Sequence, residues 1–150
     1  MSHVRQKIRD EIILAATGLV TTGINVSSSR VFSYEDDQLP RLNIYTGNEE
    51  ISIDEENRIA RVQNRTLEII VKGRCKLPTS GDNSAVSDLL DTIAAEVEAA
   101  VLGANYIVIT GIDLENIEVE EDQAEQTVGE ITLTFSVPYL TRDGQPEITF

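Results

Sequence analysis

Two stretches of the chain repeat their apolar residues with the period of an amphipathic helix. Near the start, the apolar stripe consists of Val4, Ile8, Ile12, Ala16 and Leu19. A longer stripe in the second half consists of Val86, Leu89, Leu90, Ile93, Val97, Ala100 and Val101. Both follow the i, i+3, i+4, i+7 spacing, so they predict two helices. Ser2 is the candidate N-cap of the first helix, Asp82 or Ser84 of the second, and Gly103 is the expected stop.

Strict alternation of apolar and polar residues predicts strands between and after these helices. In the segment 59–76, Leu67, Ile69 and Val71 alternate with Glu68, Ile70 and Lys72. The apolar Ile70 on the second face predicts a central strand that is covered on both sides, at least locally. Strands are also expected at 25–32 and 41–45, followed by a turn at Thr46-Gly47-Asn48 and a short strand or flap at 51–53.

The C-terminal part has the pattern of a long β-hairpin. Its last strand alternates apolar residues at 131, 133, 135, 137 and 139 with polar ones. The preceding strand carries Ile112 and Leu114 on one parity but Ile117 and Val119 on the other, which predicts a β-bulge near Glu115-Asn116. Pro138 has no N–H to donate, so it predicts an edge position or a free N–H side there.

The order of these elements indicates the fold class. One helix, two or three strands, a central strand, a second helix and a hairpin do not form an alternating β-α-β-α series. The sequence therefore predicts an α+β fold, with a mixed β-sheet, two main helices packed mainly on one face and a long C-terminal β-hairpin. With 150 residues and 41% hydrophobic content, residues 1–150 are expected to form a single domain.

Charge is distributed unevenly along the chain. Residues 1–77 carry eleven Lys/Arg and eleven Asp/Glu, whereas residues 78–150 carry one and fifteen, which accounts for the whole net charge of −14. The cations near the predicted central strand are Arg58, Arg61, Arg65, Lys72, Arg74 and Lys76. Basic and acidic patches can pair within one fold or head to tail between copies. The second option makes Arg58, Arg61, Arg65 and Arg74 candidate subunit-interface residues.

Motifs for chemistry are absent from the sequence. It has no glycine-rich phosphate loop, and the single His3 and single Cys75 rule out a zinc cluster or an intrachain disulfide. The acidic run Glu118 to Glu125 lacks the glycine and ligand spacing of an EF-hand loop. We therefore expect no cofactor, no metal and no enzymatic activity. Two other hypotheses remain: a small α+β ligand-binding or regulatory module, and a carboxylate- or metal-dependent hydrolase.

Several partners are also disfavoured. A sequence pI near 4.3 argues against general nucleic-acid binding. No apolar run is long enough to span a bilayer, so no membrane partner is expected. The start of the chain lacks the continuous apolar stretch and cleavage site of a signal peptide, so we expect the chain to be cytosolic where it is made.

The order of five segments resembles one family. These are VRQKIRDEIILAATGLVTTG, RVFSYEDDQLPRLNIYTGNEE, RTLEIIVKG, AVSDLLDTIAAEVEAAV and, after an acidic stretch, VGEITLTFSVPYLT. Together they resemble the tail terminator proteins of long-tailed bacteriophages, the minor tail protein U type. The similarity covers nearly the whole chain, and its most specific pieces are residues 30–40 and the closing strand.

This resemblance implies a non-enzymatic structural role in the virion tail, assembled in the host cytoplasm. Such proteins form a hexameric ring that caps the tail tube, stops tube polymerisation and presents a surface to the head-completion or connector protein. The implied partners are other copies of the chain, the tail tube protein, the connector and passing DNA that is not bound tightly. A lumen lined with carboxylates would repel phosphate. Its candidate residues are Glu118, Glu120, Glu121, Asp122 and Glu125.

Overall fold

The computed structural model describes residues 2–28, 40–53, 62–76, 83–122, 128–142 and 144–149. Within them the elements are α1 (Val4–Ala16), β1 (Val26–Ser27), β2 (Arg41–Ile53), β3 (Val62–Lys76), α2 (Asn83–Gly103), β4 (Asp113–Asp122), β5 (Val128–Arg142) and β6 (Gln145–Thr149). The strands form one sheet in the order β1-β2-β3-β5-β4, and β6 pairs with the end of β5. Strand β1 is parallel to β2 and the other pairs are antiparallel. The predicted α+β class with a mixed sheet is confirmed.

Strands β3 and β5 form the centre of the sheet. They pair without interruption from Val62 opposite Arg142 to Lys76 opposite Val128. Along both strands the odd-numbered residues are buried from Leu67 onward on β3 and from Gly129 to Tyr139 on β5. Side chains of a strand alternate between faces, so one face of the sheet holds the hydrophobic core. The apolar stripes of α1 and α2 are buried in the same core cluster, which puts both helices on that face.

Helix α2 lies very close to the sheet because two glycines leave room for it. A Cβ atom on Gly73 of β3 would lie 2.7 Å from Cγ2 of Ile93. One on Gly129 of β5 would lie 2.6 Å from Cγ1 of Val86. Real Cβ atoms do not approach this closely, so a side chain at either position would force these α2 side chains or the helix itself to shift.

Strand β2 differs from its prediction. The sequence predicts a turn at Thr46-Gly47-Asn48, but β2 continues through this point with a shift of register. Thr46 lies opposite Ile69 and Glu49 opposite Leu67, so Gly47 and Asn48 share one partner residue on β3. This is a β-bulge, which the same small and polar residues also favour. The bulge moves Glu49 to the helix-covered face of the sheet.

Other local predictions have mixed outcomes. The expected β-bulge in β4 is confirmed, with a register shift between Leu114 and Asn116. On the side of β5 away from β3, Pro138 is confirmed to have no strand partner among the described residues. The β4 pairing ends at Ser136 and the β6 pairing begins at Thr141. The expected cover on both sides of Ile70 stays a prediction. No helix in the described residues packs over it, and it is half-buried between its cross-strand neighbours on β2 and β5.

The predicted caps are also corrected in part. The N-cap of α1 is His3 rather than Ser2, and the His3 ring accepts a hydrogen bond from the backbone N–H of Arg5. Ser84 lies inside α2, which begins at Asn83, so it is not the cap. Asp82 lies outside the described residues, as do residues 29–32 of the strand expected at 25–32.

The carboxylate of Glu11 on α1 holds the segment between α2 and β4. It accepts hydrogen bonds from three successive backbone N–H groups, those of Ile107 at 2.7 Å, Val108 at 3.1 Å and Ile109 at 3.2 Å. Hydrogen bonds to an ionised acceptor are stronger than neutral ones. Burial and the nearby charge of Glu11 raise the pKa of Tyr106 to about 12, and its hydroxyl donates to the carbonyl of Val101.

A second polar contact ties α1 to the other end of the sheet. Glu49 is 7% exposed, and its carboxylate lies 3.4 Å from Nη1 of Arg65 and 3.7 Å from Nε of Arg5. It also accepts a hydrogen bond from the hydroxyl of Tyr139. Burial, this hydrogen bond and the charge of Glu49 raise the pKa of Tyr139 above its ordinary value. We call these four residues, Arg5, Glu49, Arg65 and Tyr139, the Glu49 cluster.

We predict that Glu11→Gln lowers the free energy of unfolding by about 1–2 kcal/mol, because a neutral amide oxygen cannot hold three N–H groups as a carboxylate does. Urea unfolding followed by circular dichroism measures this loss. The matched control is Asp10→Asn, which removes the same charge from a side chain that is 60% exposed. Equal stability of the two variants would contradict the assigned role of Glu11.

We predict that Glu49→Gln lowers the free energy of unfolding by more, about 3 kcal/mol. The substitution leaves the guanidinium groups of Arg5 and Arg65 without their shared counter-charge. Glu50→Gln is the control, since Glu50 is the exposed neighbour on the opposite face. Thermal and urea unfolding of both variants provide the measurement. If Glu49→Gln unfolds like Glu50→Gln, the Glu49 cluster does not stabilise the fold.

Candidate functional site: the uncovered face of the sheet

The face of the sheet opposite the helices is polar, and no helix among the described residues covers it. On β3 and β5 this face carries the even-numbered residues, which are exposed or half-buried. They include Glu68, Lys72, Arg74 and Lys76 on β3, and Glu130, Thr132, Thr134 and Ser136 on β5. We call this surface the uncovered face.

The strand register arranges these charges in rows that run across the sheet. Arg41 of β2 lies opposite Arg74 of β3, Arg74 lies opposite Glu130 of β5, and Glu130 lies opposite Glu120 of β4. Directly opposed residues of antiparallel strands point to the same face. The row therefore changes sign once, from two arginines on one side of the sheet to two glutamates on the other.

The neighbouring row has the same polarity. It contains Asn43, Lys72, Thr132 and Glu118, in the order β2, β3, β5 and β4. The β2 and β3 side of this end of the uncovered face is thus basic, and the β5 and β4 side is acidic. Positive charge thus lies towards one side of the sheet and negative charge towards the other, and we call this the lateral polarity of the uncovered face. The order of residues along the sequence does not show it.

Lys72 and Glu130 connect the two sides. Nζ of Lys72 lies 3.6 Å from Oε1 of Glu130 and 5.9 Å from the ring centroid of Tyr45. Burial lowers the pKa of Lys72, but the charge of Glu130 and the contact with Tyr45 outweigh it, so the pKa is raised overall. The side chain is partly exposed, and a pair of this kind contributes little to stability.

The acidic side ends in an edge strand. Strand β4 is the last strand of the sheet, and its described pairing is with β5 only. Glu118 and Glu120 are exposed on the uncovered face, whereas Ile117 and Val119 point to the other side and are 42% and 50% exposed. An edge strand with unpaired backbone groups and accessible apolar side chains is a common contact surface.

The predicted interface residues separate in the structure. Arg74 lies on the uncovered face, but Arg65 points to the helix side and belongs to the Glu49 cluster. Arg65 also donates to Oγ1 of Thr141 at 2.9 Å and to Oε1 of Gln63 at 2.7 Å. Arg58 and Arg61 lie outside the described residues. The role of Arg58, Arg61, Arg65 and Arg74 between copies stays a prediction.

The predicted acidic residues lie on or beyond β4. Glu118 and Glu120 are exposed there, the backbone of Glu121 and Asp122 continues the strand, and Glu125 lies outside the described residues. Sequence reasoning missed Arg41 and Glu130, which complete the first row. Their positions depend on which residues pair across strands, and no spacing along the chain contains that information.

His3 and Cys75, the residues considered for catalysis, both have structural positions. In the described part of the chain, no group of three or more His, Cys, Asp or Glu residues is placed to hold a metal ion. Cys75 is fully buried in the core, and His3 caps α1. A depression of about 270 Å³ lies beside Arg65 and Tyr139 of the Glu49 cluster. Three other depressions, of about 330, 350 and 360 Å³, reach the lower end of the usual range of small-molecule sites.

No helix in the described ranges is both long and apolar enough to cross a membrane.

Comparison with known proteins finds a structural likeness. Neither a protein-family profile nor a curated protein matches the chain. A chain from the virion of a native gene transfer agent particle is similar with a TM-score of 0.45 and 15% identity, over 91% of this chain and 92% of that chain. A likeness of this size carries no argument about the role of this chain.

Proposed function

We propose that this protein is a structural virion protein that forms a ring on the phage tail tube. The ring ends tube polymerisation and forms the surface that joins the head connector. The resemblance of the whole chain to tail terminator proteins suggests this role. The observation that carries it in the structure is the lateral polarity of the uncovered face, with Arg41 and Arg74 on one side and Glu130 and Glu120 on the other.

A surface with opposite charges on its two sides favours head-to-tail contacts between identical copies. In such a contact the basic side of one copy meets the acidic side of the next, and every copy uses both sides. A head-to-tail contact closes into a ring when its rotation closes. The number of six copies comes from the resemblance.

The charge of the chain also suits a protein through which DNA passes. From Leu77 to Thr141 there are thirteen Asp/Glu and no Lys or Arg. Phosphate is repelled by such a surface, so DNA would slide past without sticking. Within the ring, Glu118 and Glu120 of β4 are exposed and are our candidates for the lumen wall.

We predict that the purified protein forms rings, that their population falls with salt, and that they stop the growth of tail tubes. Exposed charge pairs are screened over about 10 Å at roughly 0.1 M salt. Native mass spectrometry across a salt series measures the ring. Electron microscopy of tail tube protein assembled with and without this chain measures tube length.

The controls separate this role from the other hypotheses. A monomer or dimer at every concentration, with tubes of unchanged length, would favour the ligand-binding module. Hydrolysis that depends on a divalent metal and stops on chelation would favour the hydrolase. In either case the ring proposal would be wrong.

We also predict that the protein does not bind duplex DNA at moderate salt. Binding needs clustered cations that replace phosphate counter-ions, and the acidic half of the chain has none. Fluorescence anisotropy of a labelled duplex, titrated with protein from about 0.05 to 0.2 M salt, tests this. Micromolar affinity that tightens as salt falls would contradict a DNA-repelling lumen.

A further inference from the structure

We propose that two copies of this chain form a two-fold symmetric dimer through an uncharged apolar surface around the C-terminal half of α1. The surface consists of Leu14, Val20, Ile24 and Ile107, and we call it the apolar end. In the dimer, Ile107 of each copy enters a depression on the other copy. The inference goes beyond the proposed function, because it requires neither the ring nor the tail tube.

The first argument is the exposure of these four side chains. They are between 78% and 96% exposed, although all are aliphatic. Single exposed apolar side chains are normal on a protein surface, but several in neighbouring segments indicate a contact with another protein. Burying them removes apolar area from water, which stabilises a complex.

Hydrogen bonds hold Ile107 beside α1. Its backbone N–H donates to Oε1 of Glu11 at 2.7 Å. Leu14 lies three residues after Glu11, and residues at this spacing are neighbours on a helix surface. Ile107 and Leu14 are therefore presented from two segments that are bonded to each other, and little order has to be gained when a partner binds.

The turn that follows α1 carries the other two side chains. The N–H of Gly18 donates to the carbonyl of Gly23, and the N–H of Gly23 donates to the carbonyl of Leu19, both at 2.8 Å. Val20 lies within this turn, and Ile24 follows directly after it. The turn thus brings Ile24 back to the end of the helix.

Charge is the second argument, and it favours a second copy as the partner. Residues 12–28 and 99–112, which supply the apolar end, contain no Asp, Glu, Lys, Arg or His, in a chain with a net charge of −14. Two copies repel each other through their charged surfaces, and this repulsion is weakest where neither surface carries charge. A cationic partner would instead be attracted to the acidic residues of β4, and a nucleic acid needs cations that these segments lack.

The third argument is a depression beside Ile107. Its volume is about 270 Å³, and its apolar lining includes Val108, Pro138 and Leu140. This is room enough for one aliphatic side chain. Arg65 also lines the depression, but its guanidinium is already bonded within the Glu49 cluster.

A projecting side chain next to a depression makes the surface complementary to itself. Val108 of the lining directly follows Ile107 in the chain. Two copies related by a two-fold axis can therefore each place Ile107 in the depression of the other. Such a contact uses the same residues on both copies and closes at two.

Three variants test this contact by sedimentation equilibrium of the purified protein. Ile107→Ser should weaken dimerisation by at least about tenfold, because an apolar side chain is lost from both halves of the contact. Ile107→Leu keeps an aliphatic side chain of the same volume and should keep the dimer. The matched control is Ile117→Ser, which removes the same side chain from β4, where it is 42% exposed. It should dimerise like the unmodified protein, and circular dichroism checks that each variant is folded.

The salt dependence of the dimer is a second measurement. Both copies carry the same net charge of −14, so screening their repulsion should tighten the dimer as salt rises from about 0.05 to 0.5 M. This is the opposite of the salt dependence expected for the ring. Weakening of the dimer by salt would contradict an uncharged contact.

The outcomes separate this inference from the proposed function. The inference is wrong if the unmodified protein stays monomeric at every concentration and salt, if Ile107→Ser dimerises as well as the control, or if Ile107 mediates assembly beyond two copies. Rings that shorten tail tubes, formed by a protein that is otherwise monomeric, would overturn only the inference. A dimer that depends on Ile107, with tubes of unchanged length, would support the inference and overturn the proposed function.

Discussion

The packing of α2 on two glycines is the constraint on which the rest of the fold depends. Gly73 and Gly129 lie diagonally from each other on the same face of the two central strands, and side chains of α2 approach them more closely than a Cβ atom would allow. The buried residues of β3 and β5 must then all face this helix. The other face, with its alternate residues, is left polar and available for contact with other molecules.

Polar side chains have different surroundings on the covered and uncovered faces of the sheet. On the covered side they are matched within the chain: Glu49 lies between two arginines and a tyrosine, and Glu11 accepts three backbone N–H groups. Burial makes an unmatched group costly there. On the uncovered face, Arg41 lies opposite Arg74, and Arg74 lies opposite Glu130, so like charges occur beside opposite ones. Like charges persist where the fold tolerates them.

The sequence predicted those elements whose period is long and regular. The stripes of α1 and α2, the alternation in β5 and the parity change in β4 were all visible as spacing, and the structure confirms them. The bulge in β2 was not predictable, because Gly47-Asn48 suits a turn as well as a bulge. Only the pairing of Thr46 and Glu49 with β3 distinguishes the two.

The candidate site was predicted less well, for a physical reason. Arg65 and Arg74 are close in sequence, but strand alternation puts them on opposite faces of β3. The parity that Arg65 shares with Leu67 and Ile69 was a usable signal for its inward position. Arg41 and Glu130 carried no such signal. They join the row through pairing with strands distant in sequence, which spacing along the chain does not specify.

Because Cys75 is buried, the reactivity of its thiol reports on opening of the core. It is the single cysteine of the sequence, it is fully buried on the covered side of β3, and it lies opposite Gly129, on which α2 packs. A thiol reagent can reach this sulfur only when the helix layer separates from the sheet. The rate of its alkylation therefore measures how often the core opens. Comparing this rate between free and assembled protein would show how far assembly rigidifies each subunit.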